Sequence, residues 1–336
     1  FKVGGLARFG LDPQSLRERA LAAEKAALAV PGVTNSSGGS AGSSASTMAL
    51  ATSTGFSGAT RATGHSHSVT VIAGEGSSMQ RDSAWHGARH LADLDPAEEV
   101  GRLAGERTIA KLDPRKPRPG RYPVLFDPRV AGSLLTHCAA AISGGAIARK
   151  GSFLLGKLGE KIFAETVRIV DDPLRIRGLR SRPFDGEGLP VACMDLISDG
   201  ILRTWTAESS SARQLGIQPT GHAVRGASGP PGAGPSNLFI KPGSRSREEL
   251  LEAFPEALLV TELIGQGINY VTGDYSRGAA GFMVRGGEIA EPVAEITIAS
   301  NLLDMFASLE PGSDLEFRRG VDAPTLLVPE MTVAAA

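Results

Sequence analysis

The stretch from residue 33 to 92 constrains this chain more than any other. Gly, Ser and Thr dominate it, and apolar side chains appear only in short alternations such as Ser68-Val69-Thr70-Val71-Ile72. It reads either as a disordered Ser/Gly tract or as a meander of exposed antiparallel strands. Thr, Val and Ile recur between turn residues, and β-branched residues favour a pleated surface, so the meander is preferred. Strands are expected at 45–53, 66–74 and 79–86, with Gly74-Glu75-Gly76 turning between the last two. Across the 336 residues there are 42 Gly and 21 Pro, well above the usual share of about 12% for the pair. Many tight turns follow. Hydrophobic residues still make up 41%, ample for a core, and the length suggests two domains.

Capping signals place the helices. Asp12-Pro13 opens the first, with Leu16, Ala20, Ala27 and Leu28 on one side and a stop before Pro31. Asp95-Pro96-Ala97-Glu98 reads as a capping box ahead of a helix to about Leu112. Pro114, Pro117 and Pro119 then form a stiff connector, which sets a boundary between residues 1–117 and 118–336. The second part is expected to hold a strand from Tyr122 to Phe126 and a helix from Asp127-Pro128 to Ile142, ended by Gly144-Gly145. A helical stretch at 152–163, a strand at 167–170 and a capping-box helix from Ser246 to near Pro255 follow. Residues 226–235 read as a loop. Short strands are expected at 258–263, 268–272, 280–284, 288–293 and 325–328. The fold class is α+β: an N-terminal α/β domain with antiparallel strands, shortened at its start, and a strand-rich C-terminal domain of mixed sheets.

Charge excludes some functions. Lys plus Arg number 35 and Asp plus Glu 36, so the net charge is −1. No basic excess favours nucleic acid or an anionic membrane. The densest basic stretch, Lys111–Arg121, is broken by proline and reads as a linker. No apolar run reaches the ~20 residues of a membrane span. Cys138 and Cys193 make no disulfide framework, which fits a reducing compartment. Phe1-Lys2-Val3-Gly4-Gly5-Leu6 has neither an initiator Met nor the form of a signal peptide, as in a chain lacking its first segment.

No metal or nucleophile motif is complete. His86 and His90 are four apart but lack the Glu a zinc-protease helix carries beside its first His. His65 and His67 share one strand face and read as exposed. Cys138 reads as a buried small hydrophobe. Gly265-Gln266-Gly267 has neither a dinucleotide nor a Walker pattern. Three polar, Gly-rich segments stand out instead: Ser181–Gly188, Ser211–His222 and Gly265–Phe282. Their candidate ligand-contact residues are Asp185, Glu187, Arg213 and His222, and a second set of Asp274, Tyr275 and Arg277. Against this stands an internal network fixing tight turns, with Arg277 paired to Asp274.

These segments, in this order, resemble the TldD/PmbA family, and its PmbA (TldE) branch in particular. The run Gly273-Asp274-Tyr275-Ser276-Arg277-Gly278-Ala279-Ala280-Gly281-Phe282 is the most specific signal. Glu262–Asn269, Ser181–Gly188, Pro292–Ala299, Val33–Ser36 and Ser53–Gly58 support it. The resemblance implies a two-domain cytoplasmic protein. It also implies a catalytic sister branch whose zinc is held by His-Glu-x-x-x-His and a later Cys. Here the corresponding helix reads Leu135-Thr136-His137-Cys138-Ala139-Ala140-Ala141-Ile142, with one His and no Glu, and no Cys follows residue 193. A tetrahedral zinc needs three protein ligands and a water. The resemblance therefore implies a chain without a metal or catalytic residues of its own. Zinc is expected only in a TldD-type partner, and the complex would process unfolded or extended peptides. Strand edges near 258–272 would take up such a peptide by backbone hydrogen bonding. The alternatives are a stand-alone peptidase using His137, Cys138 or His222, and a peptide-binding homodimer. The neutral charge gives no support to the family's older description as a DNA gyrase modulator.

Overall fold

The structure is a computed structural model that describes residues 11–226 and 228–335. The expectation for Phe1–Leu6 lies outside the described residues, as does Ala227 within the expected loop. Two compact units emerge, one running up to Ala49 and over Gly58–Pro114, the other taking in Leu50–Ser57 and everything from Arg115 onward. The chain is a mixed, strand-rich α+β protein.

In the first unit, helix α1 (Pro13–Leu28) starts as expected, with the Asp12 carboxylate accepting from the backbone of Gln14 and Ser15. Strands β1 (Val33–Ala51), β2 (Ser57–Ala73) and β3 (Gln80–Ala88) form a three-stranded sheet in sequence order. The meander is present, but β1 and β2 run 19 and 17 residues, far longer than expected. Ser and Gly do not end these strands, because hydroxyls bridge between them, as Ser40 does to Ser68 at 2.9 Å. Helix α2 (Ala97–Ala110) has Pro96 at its N-cap, without a side-chain hydrogen bond, so the expected Asp95 capping box does not form. Asp95 instead lies 3.3 Å from His86 Nδ1, which also accepts from the Asp95 backbone N–H.

The core of this unit is made of small side chains: Ala23, Ala27, Val69, Val71, Ala84, Ala97, Val100 and Ala104. Helices α1 and α2 approach at backbone distance. A Cβ on Gly101 would sit 2.1 Å from the Ala23 carbonyl oxygen, so only glycine fits there. Of the side of α1 expected to be apolar, Ala27 is buried, Leu16 and Ala20 are half-buried and Leu28 is exposed, and Ala23 joins Ala27 in this contact. His65 and His67 do share a face, but it is buried rather than exposed.

The second unit contains two sheets and a short ribbon. Its elements, in order, are β4 (Gly120–Phe126), α3 (Pro128–Ala141), α4 (Gly144–Ala148), β5 (Ile169–Asp171), β6 (Met194–Ser198), β7 (Ile201–Leu202), α5 (Ser209–Leu215), β8 (Ala223–Val224), β9 (Gly232–Ala233) and β10 (Leu238–Ile240). There follow α6 (Arg247–Leu251), β11 (Glu256–Ile264), β12 (Asp274–Arg285), β13 (Glu288–Asn301), α7 (Leu302–Ser308), β14 (Glu310–Pro311), β15 (Val321–Asp322) and β16 (Leu326–Ala335). One sheet has the order β15-β10-β5-β6-β7, and β8 and β9 pair alone, β8 just before the expected Gly/Pro loop of 226–235 and β9 within it. The other runs β13-β12-β11-β4-β16-β14, and β13 also pairs with β16 through Ile296–Ala299 and Thr332–Ala335. Five strands therefore close into a barrel, with β4 and β11 the parallel pair.

Strand alternation sorts the barrel residues onto two faces. Val124, Phe126, Leu258, Val260, Tyr275, Met283, Ile296, Ile298, Val328 and Met331 come from all five strands into one buried cluster. Their neighbours Leu125, Leu259 and Leu327 point the other way, onto Leu250 and Leu251 of α6. That short helix has the expected capping box between Ser246 and Glu249.

Four expectations fail in this unit. Residues 152–163 are turns, not helix; Gly156 and Gly159 take left-handed φ of +80° and +81°. Gly144-Gly145 does not end a helical region but starts α4. Residues 268–272 are a turn joined to β12 only by an isolated Ile268–Tyr275 bridge. The Asn269 carboxamide holds that turn by accepting from the Val271 backbone at 2.9 Å. Nor is β11 an edge strand over Leu258–Val260, because β4 and β12 flank it there on both sides.

Candidate functional site

Alternation along β12 decides which motif residues meet. Tyr275 and Arg277 fall on one face and Asp274 on the other. Asp274 is exposed, accepting from the Thr272 hydroxyl and, at 3.4 Å, from the Asn301 side chain. The Asp274–Arg277 pair expected from the sequence does not form. Tyr275 turns inward and is 1% exposed.

Helix α3 and the 268–272 turn meet this inward face. The Asp127 carboxylate caps α3 by accepting from Arg129 N at 3.0 Å, and Arg247 holds its other oxygen at 3.1 Å. His137, further along α3, is 6% exposed and hydrogen-bonds through Nδ1 to the Tyr270 hydroxyl at 2.9 Å. Tyr270 is fixed by its turn, since its carbonyl accepts from Phe153 N at 2.7 Å. Gly267 lets the turn come close: a Cβ there would lie 1.5 Å from the Ser276 carbonyl oxygen. The His137 ring packs edge-on to both tyrosines, at centroid distances of 6.0 Å to Tyr270 and 6.1 Å to Tyr275.

The electrostatics of this cluster are consistent. Burial, and then the positive charge of Arg277, push the His137 pKa down to about 4, so the ring is neutral near pH 7. Burial raises the phenol pKa of Tyr270 and of Tyr275, against a smaller opposing pull from Arg277. Three buried polar atoms here have no hydrogen-bond partner: His137 Nε2, Tyr275 Oη and Arg277 Nε. The Arg277 guanidinium lies beside the Tyr275 hydroxyl without a hydrogen bond of normal geometry. Tyr270 and Arg277 are half-buried, so the cluster reaches solvent on their side.

The other expected residues lie elsewhere and serve turns. Asp185 is 1% exposed, and its carboxylate accepts from the backbone N–H groups of Glu187, Leu189 and Ala223. Glu187 accepts from Ser209 N and Oγ at 2.8 and 2.7 Å, at the start of α5. His222 is wedged between Thr220, 2.9 Å from its Nδ1, and Asp171, 3.3 Å from its Nε2. Asp171 also accepts from Ser236 N and Oγ. Arg213 is exposed on the last turn of α5. The structure therefore brings Tyr275 and Arg277 together with His137 and Tyr270. It leaves Asp185, Glu187 and His222 in turn-fixing networks. Tyr270 is the residue the sequence reading missed. A signal was available: the chain has only three tyrosines, and two of them lie here within six positions.

The donor set does not fit a zinc ion. Among the described residues, no group of three or more His, Cys, Asp and Glu is placed to hold one. His137 Nδ1 is taken by Tyr270, and the cation nearest the ring is Arg277, which would repel a second positive charge. Burial pushes the Cys138 thiol up to about 12, so it is not a nucleophile at neutral pH. No helix among the described residues is long and apolar enough to cross a membrane.

Comparison with known proteins gives a consistent picture. Residues 9–112 match the family model of the PmbA/TldA metallopeptidase central domain, and residues 119–335 match that of its C-terminal domain. The chain is 42% identical over 326 residues to the metalloprotease PmbA of Escherichia coli O157:H7, covering 96% of this chain and 70% of that protein. It is 36% identical to a PmbA homolog of Haemophilus influenzae, with the same two coverages. A Thermotoga maritima crystal structure, named for a proposed modulator of a DNA gyrase, superposes with a TM-score of 0.89. It is 30% identical, over 96% of this chain and 75% of that one. TldE from Thermococcus kodakarensis shares the fold, with a TM-score of 0.86 at 22% identity over 97% of this chain and 75% of its own. Matched by two family models and by a PmbA relative along nearly all its length, the chain belongs to the PmbA/TldA metallopeptidase family.

Proposed function

We propose that this chain is the non-catalytic subunit of a TldD/TldE-type metallopeptidase complex. It shapes the groove and positions flexible, extended peptides for a zinc-bearing TldD-type partner in the cytoplasm. One observation carries the reading. Where the catalytic branch would carry its zinc ligands, α3 offers a single His, locked to Tyr270 and faced by an arginine. The small residues Ala139, Ala140 and Ala141 follow it on the helix.

Co-expression with a partner that carries His-Glu-x-x-x-His tests this reading. The two chains are expected to co-purify, with zinc following the partner and peptide cleavage requiring both. Stoichiometric zinc and peptide cleavage by the purified chain alone would show a stand-alone peptidase instead. A stable homodimer that ignores the partner would show a scaffold.

A further inference from the structure

We infer that the His137–Tyr270–Tyr275–Arg277 cluster is a binding site for a carboxylate group of a peptide. The inference deepens the peptide-handling reading above and rests on it for the identity of the ligand.

The cluster has a composition that structural packing alone does not require. Buried polar groups are nearly always hydrogen-bonded, and each exception costs stability. Here three exceptions share one patch: His137 Nε2, Tyr275 Oη and Arg277 Nε. All three act as donors. We assign the proton of the neutral His137 ring to Nε2 and, with it, the donor role in the 2.9 Å contact with Nδ1 to the Tyr270 hydroxyl. Tyr275 carries a phenolic proton, and Arg277 an N–H and a permanent charge.

No carboxylate among the described residues forms an ion pair with Arg277. Asp274, the nearest acid in sequence, sits on the opposite face of β12 and is engaged by Thr272 and Asn301. The patch thus carries a net positive charge and holds no carboxylate of its own to balance it. Its floor is buried, with His137 6% and Tyr275 1% exposed, and the half-buried Tyr270 and Arg277 form its edge toward solvent. Planar guanidinium recognition of a carboxylate, supported by a hydroxyl and an imidazole N–H, matches such a set. In an unmodified peptide the carboxylates are the C-terminus and the side chains of Asp and Glu.

The test uses the full chain and three blocked peptides: N-acetyl-Ala-Ala as free acid, the same peptide as its C-terminal amide, and N-acetyl-Asp-Ala-amide. Binding is followed by calorimetry and by the His137 ring resonances in NMR. The free acid is expected to bind about tenfold or more tightly than the amide, the scale of a charge-assisted hydrogen bond, and to shift the His137 resonances. The Asp peptide separates the two sources of a carboxylate: binding like the free acid assigns a side chain as well, and binding like the amide assigns the C-terminus alone. Arg277→Met should abolish the preference for the free acid. Tyr275→Phe keeps the buried ring and should weaken the preference several-fold, so it carries the test if the arginine variant does not fold.

Equal binding of acid and amide overturns the inference, as does no binding of any of the three. None of these results depends on the zinc partner. Loss of co-purification alongside a clear free-acid preference would therefore sink the subunit reading and leave the carboxylate site standing.

Discussion

The two units both rest on antiparallel strands, yet they are stabilised in opposite ways. The first is an open sheet with one face covered, and its buried apolar cluster holds nothing larger than Val. Its tightness comes from the approach of α1 and α2 across Gly101 and Ala23. The second is a closed barrel filled with Leu, Ile, Met, Phe and Tyr. The first unit is thus sensitive to added atoms and the second to lost ones. A core can be close-packed either by bringing backbones together or by filling the space between them.

This contrast can be broken, because each unit carries one of the chain's two tryptophans, Trp85 in the first and Trp205 in the second. Single-tryptophan variants then report each unit separately during urea unfolding. Phe126→Ala should have the largest effect, lowering stability by about 3–5 kcal/mol at the Trp205 signal, the usual cost of an emptied aromatic site. A matching shift at Trp85 would mean that the units unfold together, and the comparison would fail.

Acid comes next. The folded-state pKa of His137 lies below its unfolded value, so the unfolded chain takes up a proton that the folded chain refuses. Stability is full above pH ~6.5 and declines as pH falls toward 4, by on the order of 3 kcal/mol. His137→Gln should flatten that decline at Trp205. Burial, then Arg19 and His86, also lower the His67 pKa, opposed by Asp95 and Glu98. His67→Gln should therefore flatten the decline at Trp85. A decline unchanged by either variant would assign acid sensitivity to other groups.

Gly101→Ala should cost about 1–3 kcal/mol, the range for overpacking, and only at Trp85. An unchanged midpoint would mean that the two helices can spread, against the account of that core given above. The smallest expected effect is Ser246→Ala, about 1 kcal/mol from a lost helix cap, seen at Trp205.

Local signals in the sequence were legible where their cause is local. Asp12-Pro13, Asp127-Pro128 and the Ser246–Glu249 box all start helices, because capping involves only a few neighbouring residues. Strand lengths were not legible. β1 continues through Ser and Gly because hydroxyls such as Ser40 find partners across the sheet, a contact that propensity does not encode. The turns at 152–163 resemble a helix in composition, but glycines and the Phe153–Tyr270 backbone bond decide otherwise.

The candidate site was half legible. Tyr275 and Arg277 stand out in a motif, whereas His137 and Tyr270 are 133 positions apart and meet only through the fold. Asp185, Glu187 and His222 stand out equally in the sequence. Their hydrogen bonds to backbone and serine groups reveal loops being held in place.

Barrel closure also sets an order in time. β16 lies between β4 and β13, yet it leaves the ribosome after both. Phe126 precedes its partner Leu326 by 200 positions, or roughly 10–40 s at typical rates of synthesis. Throughout that interval β4 lacks this neighbour, as β13 does from its own synthesis onward, and the ring stays open. During its own birth this chain offers the unpaired strands that its finished form conceals, and the final segment of the barrel is the one that seals them.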